Sequence, residues 1–253
     1  MLSILLVCLT SLDAAQTAAA ELHRDRRGNR FDVVRVDVAT DAVEMSLGDP
    51  SGRRIASLGA LIDGYQRRRQ DPWFATNGGM FTPAHEPVGL YIENGRELSP
   101  LNRSPGSGNF FMLPNGVFAV GGNRASVMTT DAFAGLPRAA RSALAFATQS
   151  GPMLVIDGRP HPAFRADSLH RAIRSGVGQI SPTRIVFAIS ENPVTFLELA
   201  ELFRADYGCR QALYLDGAIS RAWIPSLDHR DTGGDFGVMI AVRRRAAAPP
   251  PVR

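Results

Sequence analysis

Four short stretches combine polar side chains with glycine or other small residues. They are Asn77-Gly78-Gly79, Gln149-Ser150-Gly151-Pro152, Arg174-Ser175, and Asp216-Gly217-Ala218-Ile219-Ser220. A carboxylate can serve as base or nucleophile. A guanidinium grips an oxyanion through paired N–H groups. Carboxamides and hydroxyls exchange hydrogen bonds with hydroxylated ligands. Each stretch also has a plain structural reading. Asn77 before two glycines forms turns, and Gln149 to Pro152 is a loop breaker. Arg174 reads as a surface arginine, and Asp216-Gly217 as a common turn. No single stretch decides between chemistry and architecture.

Other chemistries are excluded more firmly. The chain carries 28 basic residues and every one is arginine. A Schiff-base lysine and a P-loop lysine are therefore ruled out. No G-x-S-x-G elbow, HExxH helix or paired-cysteine spacing occurs. The five histidines are scattered, and His161 reads as a loop residue. The glycine-rich stretches lack the dinucleotide fingerprint in its strand–helix setting. The net charge of +4 is diffuse. Arg67-Arg68-Arg69 and Arg243-Arg244-Arg245 have no interleaved aromatics, so they read as solvated surface, and no nucleic-acid partner is expected.

The 253 residues and 45% hydrophobic content suit one large domain. At the N-terminus, the apolar run Leu2–Leu9 leads into Thr17-Ala18-Ala19-Ala20. This reads as a secretory signal over residues 1–20, although its start carries no Arg or Lys. The run is too short to span a bilayer, and no second membrane segment is expected in the mature chain. Removal of the signal takes Cys8 with it and leaves Cys209 alone, so no internal disulfide is expected. Periplasmic or secreted placement follows as an expectation. Residues 21–245 read as the domain and 246–253 as a disordered Pro-rich tail.

The elements that must hold the four stretches follow from periodicity. Phe31 to Ala39 alternates as a strand with one polar face. Ile55, Leu58, Leu61, Ile62 and Tyr65 recur at helical spacing. Trp73–Thr76 and Ala212–Leu215 are short apolar strands, and each follows a helix and ends in a small-residue loop. Asn94-Gly95, Asn115-Gly116 and Asp157-Gly158 signal hairpins. Arg184 to Ile189 is a strand. A helix follows it, with Asn192 as N-cap, Pro193 at the first helical position and Gly208 just past the end. Its apolar face is Phe196, Leu199, Ala200 and Phe203. The strand–helix–strand order is compatible with a parallel crossover. Val238 to Val242 is the last strand. The fold class expected is α+β, a single domain of mixed, largely antiparallel sheets with a few flanking helices.

Seven segments in order then carry a resemblance. They are "ATNGGMF", "PVGLYIENGRELSPLN", "GNFFMLPNGVF", "TQSGPMLVIDGRPHPAF", "RSGVG", "ALYLDGAIS" and "GGDFGVMIAV". As an ordered set they resemble the phosphodiester glycosidase family, the group of uncovering-enzyme-like proteins, over most of residues 70–242. The resemblance implies polar loops around one shallow cleft. It carries over Asn77, Gly78 and Gly79, Gly151 and Pro152, Arg174 and Ser175, and Asp216, Gly217 and Ser220. Ala218 stands where the family often has a second glycine.

For such a substrate the chemistry is a bond between a sugar anomeric carbon and a phosphodiester. The phosphate ester leaves readily, so strong general-acid help is less necessary than in ordinary glycosidases. Arg174 fits the anion clamp, with Ser175 and glycine-loop amides beside it. Asp216 fits the carboxylate at the anomeric carbon. Asn77 and Gln149, with Ser150, fit recognition of hydroxyls. Glu86 and Asp235 are candidate second carboxylates, and Arg171 is the alternative clamp. The sequence requires no cofactor, and a divalent cation bridging Asp216 and a phosphate fits the same layout. The partner expected is a carbohydrate-phosphate substrate; the oligomeric state is not legible. Two alternatives stay open: a non-catalytic glycan-binding protein on the same fold, and a phosphodiesterase that cleaves the P–O bond.

Overall fold

The computed structural model describes residues 19–215 and 220–245. Period-two alternation builds its largest sheet. In β2 (Arg30–Asp37), Phe31 and Val33 enter one core while Val34 and Val36 enter another. A strand buried on both faces belongs inside a sheet. β2 lies between β1 (Ala20–Arg24) and β13 (Arg184–Ser190). The sheet continues through β12 (Ser175–Gln179), β14 (Gln211–Tyr214), β10 (Met153–Ile156) and β11 (Arg159–Pro160). A second sheet has the order β16 (His229–Arg230), β15 (Ala222–Ile224), β4 (Phe74–Asn77), β17 (Met239–Arg244), β3 (Asp41–Ser46). A third runs β6 (Arg96–Ser99), β5 (Tyr91–Glu93), β9 (Phe146–Ser150), β7 (Gly116–Gly121), β8 (Arg124–Thr129). Neighbouring strands pair antiparallel, as in β12 with both β13 and β14. The α+β expectation holds.

The three sheets share one central core. Val34, Phe187 and Leu213 come from the first, Phe74 and Ile240 from the second, and Tyr91 and Phe118 from the third. Helices cover the outer faces. Ser57 caps α1 (Leu58–Arg67) by accepting from the Ala60 amide, and the helix buries Leu58, Leu61, Ile62 and Tyr65 against Ala75 and Met239. Each such side chain contributes about 1.5–3 kcal/mol of transfer free energy. α2 (Thr130–Ala134) sets Phe133 against the third sheet, and the one-turn α3 (Arg138–Ser142) follows it. α4 (Phe196–Glu201) buries Leu199 and Ala200 against the first sheet, and the chain continues as a π-turn over Leu202–Asp206 that buries Phe203.

Two hairpin signals hold. Asn94-Gly95 joins β5 to β6, and Asp157-Gly158 joins β10 to β11; all four residues take positive φ. Asn115-Gly116 is not a hairpin. Asn115 is buried, its amide donates to Phe110 O and its Oδ1 accepts from Thr130 Oγ1, so it pins a loop before β7 begins. The cap of α4 is Thr195, not Asn192. Thr195 and Glu198 form a reciprocal capping box. Asn192 instead accepts from Arg30 N and donates to Asn29, tying the loop to β2. β13 and β14 do run in the same direction, but β12 lies between them and pairs antiparallel with both.

Candidate functional site

Strand registers bring the four stretches together. The end of β14 is the hub. Gly176 of β12 lies opposite Tyr214, and Leu215 N donates to Ser175 O, so Arg174-Ser175 stands beside the strand's exit. On the other side Tyr214 N donates to Pro152 O, which brings in Gly151-Pro152. Asn77 closes β4, and its Oδ1 accepts from Arg221 N at 3.1 Å. Thr76 Oγ1 donates to Arg221 O at 2.9 Å, and Ser220 Oγ lies 3.3 Å from Ser175 Oγ. Asp216 and Gly217 lie outside the described residues, but Leu215 and Ser220 on either side of them are both tied to Ser175. The glycines allow this crowding. A Cβ on Gly79 would lie 2.3 Å from Thr148 Oγ1, one on Gly78 2.8 Å from Val238 Cγ1, and one on Gly151 2.7 Å from Phe110 O.

Arg174 is not a surface arginine; it is 5% exposed. Its Nε donates to Val194 O at 2.9 Å, Nη1 to Tyr214 Oη and Nη2 to His170 O, both at 3.2 Å. The guanidinium carbon sits 3.7 Å from the centre of the Phe196 ring. No carboxylate among the described residues forms an ion pair with it. Backbone carbonyls and aromatic faces hold the cation instead. A guanidinium has five N–H groups, so one on each terminal nitrogen is left without a partner among the described residues. A guanidinium with N–H groups to spare can donate to a phosphate.

Gln149 does something other than what its residue type suggests. It is 1% exposed. Its Oε1 accepts from Leu90 N and Asn102 N, and its Nε2 donates to Asn102 O and Thr130 Oγ1. Both protons and both lone pairs are used, so this amide is a pin between loops with nothing left for a ligand. Ser150 is fully buried, and its Oγ has no hydrogen-bond partner among the described residues. Asn109 starts an exposed single turn beside Gly151.

The alternative candidates are engaged elsewhere. Arg171 is half exposed and bonded to Glu198 and Pro193 O. Glu86 is exposed. Asp235 is exposed and paired with Arg54 and His85, which hold its carboxyl below the usual range. His161 is buried, and desolvation pushes its pKa down. Its ring stacks on Phe164, which stacks on Phe196 in turn. Tyr214 and Phe196, which frame Arg174, escaped sequence reasoning because a strand tyrosine and a helix phenylalanine read as core.

A second group was also missed. Asp32, 4% exposed, bonds His229 Nδ1 at 2.5 Å, and His229 Nε2 lies 3.2 Å from Asp231. The Asp32 bond, reinforced by Asp231, pushes the imidazole pKa up against desolvation. Asp32 lines a small cavity with Thr76, Ser175, Leu215 and Ala222. Among the described residues no group of three or more His, Cys, Asp or Glu could hold a metal ion, and no helix is long and apolar enough to cross a membrane.

Comparison with known proteins agrees with this layout. The family model for phosphodiester glycosidase matches residues 71–242. The uncharacterized protein YigE of Escherichia coli (strain K12) is 34% identical over 210 residues, covering 83% of this chain and 80% of its own. Among solved structures, the chain is similar to the zebrafish N-acetylglucosamine-1-phosphodiester alpha-N-acetylglucosaminidase catalytic domain auto-inhibited by pro-peptide. That likeness has a TM-score of 0.60 at 11% identity and covers 91% of this chain and 85% of that one. A hypothetical protein from Synechocystis gives a TM-score of 0.54 at 13% identity, covering 89% and 61%. At those identities the structural likeness speaks for the fold, while the family match spans all four polar stretches. The chain belongs to the phosphodiester glycosidase family.

Proposed function

We propose that this protein is an exported hydrolase that cleaves the glycosyl–phosphate bond of sugar-1-phosphodiesters in cell-envelope or extracellular glycoconjugates. The observation that carries the reading is Arg174. A buried cation with no acid partner among the described residues, presenting one free N–H on each terminal nitrogen, is suited to a monoanionic phosphodiester. In this reading Arg174 grips the phosphate and Ser175 with the Gly79 amide completes the cradle. Asn77 contributes by fixing Arg221, just past the segment that holds Asp216. Asp216 attacks the anomeric carbon or activates water there. The departing phosphomonoester is a weak base held by a cation, so it leaves with little need of a proton. Where a divalent cation participates, Asp216 is the side chain that would hold it.

The test is a panel of glycosyl-1-phosphodiesters assayed for released sugar, with and without chelator. Release from at least one member supports the reading, and chelator sensitivity assigns a metal. A protein that binds the panel without turnover is a glycan-binding module. Export is part of the same proposal and rests on Leu2–Leu9 and the alanines before Glu21. The mature N-terminus in the native host should map near Glu21; full-length protein in the cytoplasm would contradict it.

A further inference from the structure

The Asp32–His229–Asp231 group is not used by the chemistry above, yet its bonds lead to Arg221, close in sequence to Asp216. His229 lies on β16, paired with Ile224 of β15 at the edge of the second sheet. Asp32 lies on β2 in the first sheet, on the same face as Val34. The bond between them is a strut joining two sheets. From the other ring nitrogen the path runs to Asp231, whose Oδ1 accepts from Arg221 Nη1 at 3.2 Å and whose amide donates to Ala222 O. Arg221 is also held by its backbone, through Asn77 and Thr76. Arg221 therefore anchors the chain just after segment 216–219, as Leu215 does just before it. The cavity that Asp32 shares with Thr76, Ser175, Leu215 and Ala222 puts the strut directly against these anchors.

We propose that His229 is a positioning residue: shared as an imidazolium between Asp32 and Asp231, it fixes the Arg221 anchor and so sets Asp216 relative to Arg174. The proposal rests on the reading of Asp216 as the reacting carboxylate. Both ring nitrogens face carboxylates, and only the cation donates to both at once. The charged groups that face the ring are Asp32 from β2 and Asp231 from its own segment, with Arg221, just before β15, reaching it through Asp231. The clamp is complete at pH values below the ordinary imidazole range and is lost as pH rises through the raised pKa of His229.

The experiment compares full-length wild type, His229→Gln and Asp231→Asn by amide hydrogen exchange and by kinetics. The Arg221 amide, bonded to Asn77, and the Leu215 amide, bonded to Ser175, report on the anchors; amides of β7 in the third sheet serve as reference. Exchange at Arg221 should be at least about tenfold faster in His229→Gln, with β7 unchanged. In wild type the same protection should fall on the alkaline side, after correction for intrinsic rates. With an active phosphodiester, kcat should drop about tenfold with KM within about threefold, and the alkaline limb of the wild-type profile should disappear. Asp231→Asn removes the carboxylate that links His229 to Arg221 and should loosen the Arg221 amide directly; if His229→Gln does not fold, wild-type Arg221 protection that stays constant as pH rises through the His229 titration would overturn the proposal. Unchanged Arg221 protection in His229→Gln, or an alkaline limb that survives in that variant, would overturn the proposal. If no phosphodiester is hydrolysed by wild type, the hydrolase reading fails and with it the catalytic part of the proposal. The exchange measurements still decide whether His229 clamps Arg221.

Discussion

Replacing Arg174 with lysine separates its charge from its shape. The arginine has three protein acceptors, Val194 O, Tyr214 Oη and His170 O, and its guanidinium carbon sits over the Phe196 ring. A lysine ammonium reaches one of these positions and cannot present two parallel N–H groups to a phosphate. Losing one charge-assisted hydrogen bond to the substrate costs about 1.5–3 kcal/mol. At about 1.4 kcal/mol per decade this corresponds to a loss of about 10–150-fold in kcat/KM. The fold loses something too. The stacked cation contributes about 0.5–2 kcal/mol, and an orphaned Val194 carbonyl costs about 1–3 kcal/mol. Together these predict a melting temperature lower by on the order of 10 °C. The assay is steady-state hydrolysis of a glycosyl-1-phosphodiester, with circular dichroism to establish that Arg174→Lys is folded at the assay temperature. A folded variant whose kcat/KM stays within about twofold of wild type would refute the clamp. A loss that merely tracks the unfolded fraction would make Arg174 structural.

Two further substitutions divide chemistry from architecture. Asp216→Asn keeps turn-forming ability; the protein should fold and bind substrate, while turnover drops by on the order of a hundredfold or more, and full activity would return Asp216 to a turn role. Gln149→Leu strands the Leu90 and Asn102 amides. Denaturant melts should show stability lower by about 2–4 kcal/mol, with KM of the folded fraction within about threefold of wild type. A selective rise in KM with unchanged stability would restore Gln149 to ligand binding.

The parts of this fold legible in the sequence are those whose signal is local. Alternation in β2, the helical spacing that ends in Tyr65, and positive-φ turns at Asn94-Gly95 and Asp157-Gly158 need only neighbours. Asn115-Gly116 misleads because its asparagine is claimed by Phe110 and Thr130, partners that no turn rule counts. Asn192 misleads similarly, since Arg30 and Asn29 take its side chain and leave capping to Thr195. At the site, the polar loops were readable as a set, because glycines beside polar residues mark close backbone approach. Their individual roles were not. The burial of Arg174 depends on Val194, Phe196 and Tyr214, which join it only through the β12–β14 register and α4. Gln149 has the chemistry of a sugar ligand, and only the positions of Leu90, Asn102 and Thr130 show it spent. His229 meets Asp32 across two sheets, a pairing that no spacing along the chain encodes.

Hydrolysis of an active glycosyl-1-phosphodiester in water enriched with heavy oxygen tests the central claim most directly. Attack at the anomeric carbon breaks the C–O bond, so mass spectrometry should find the label in the released sugar and none in the phosphate product. Label in the phosphate would mean attack at phosphorus and P–O cleavage, and would contradict the glycosidase account.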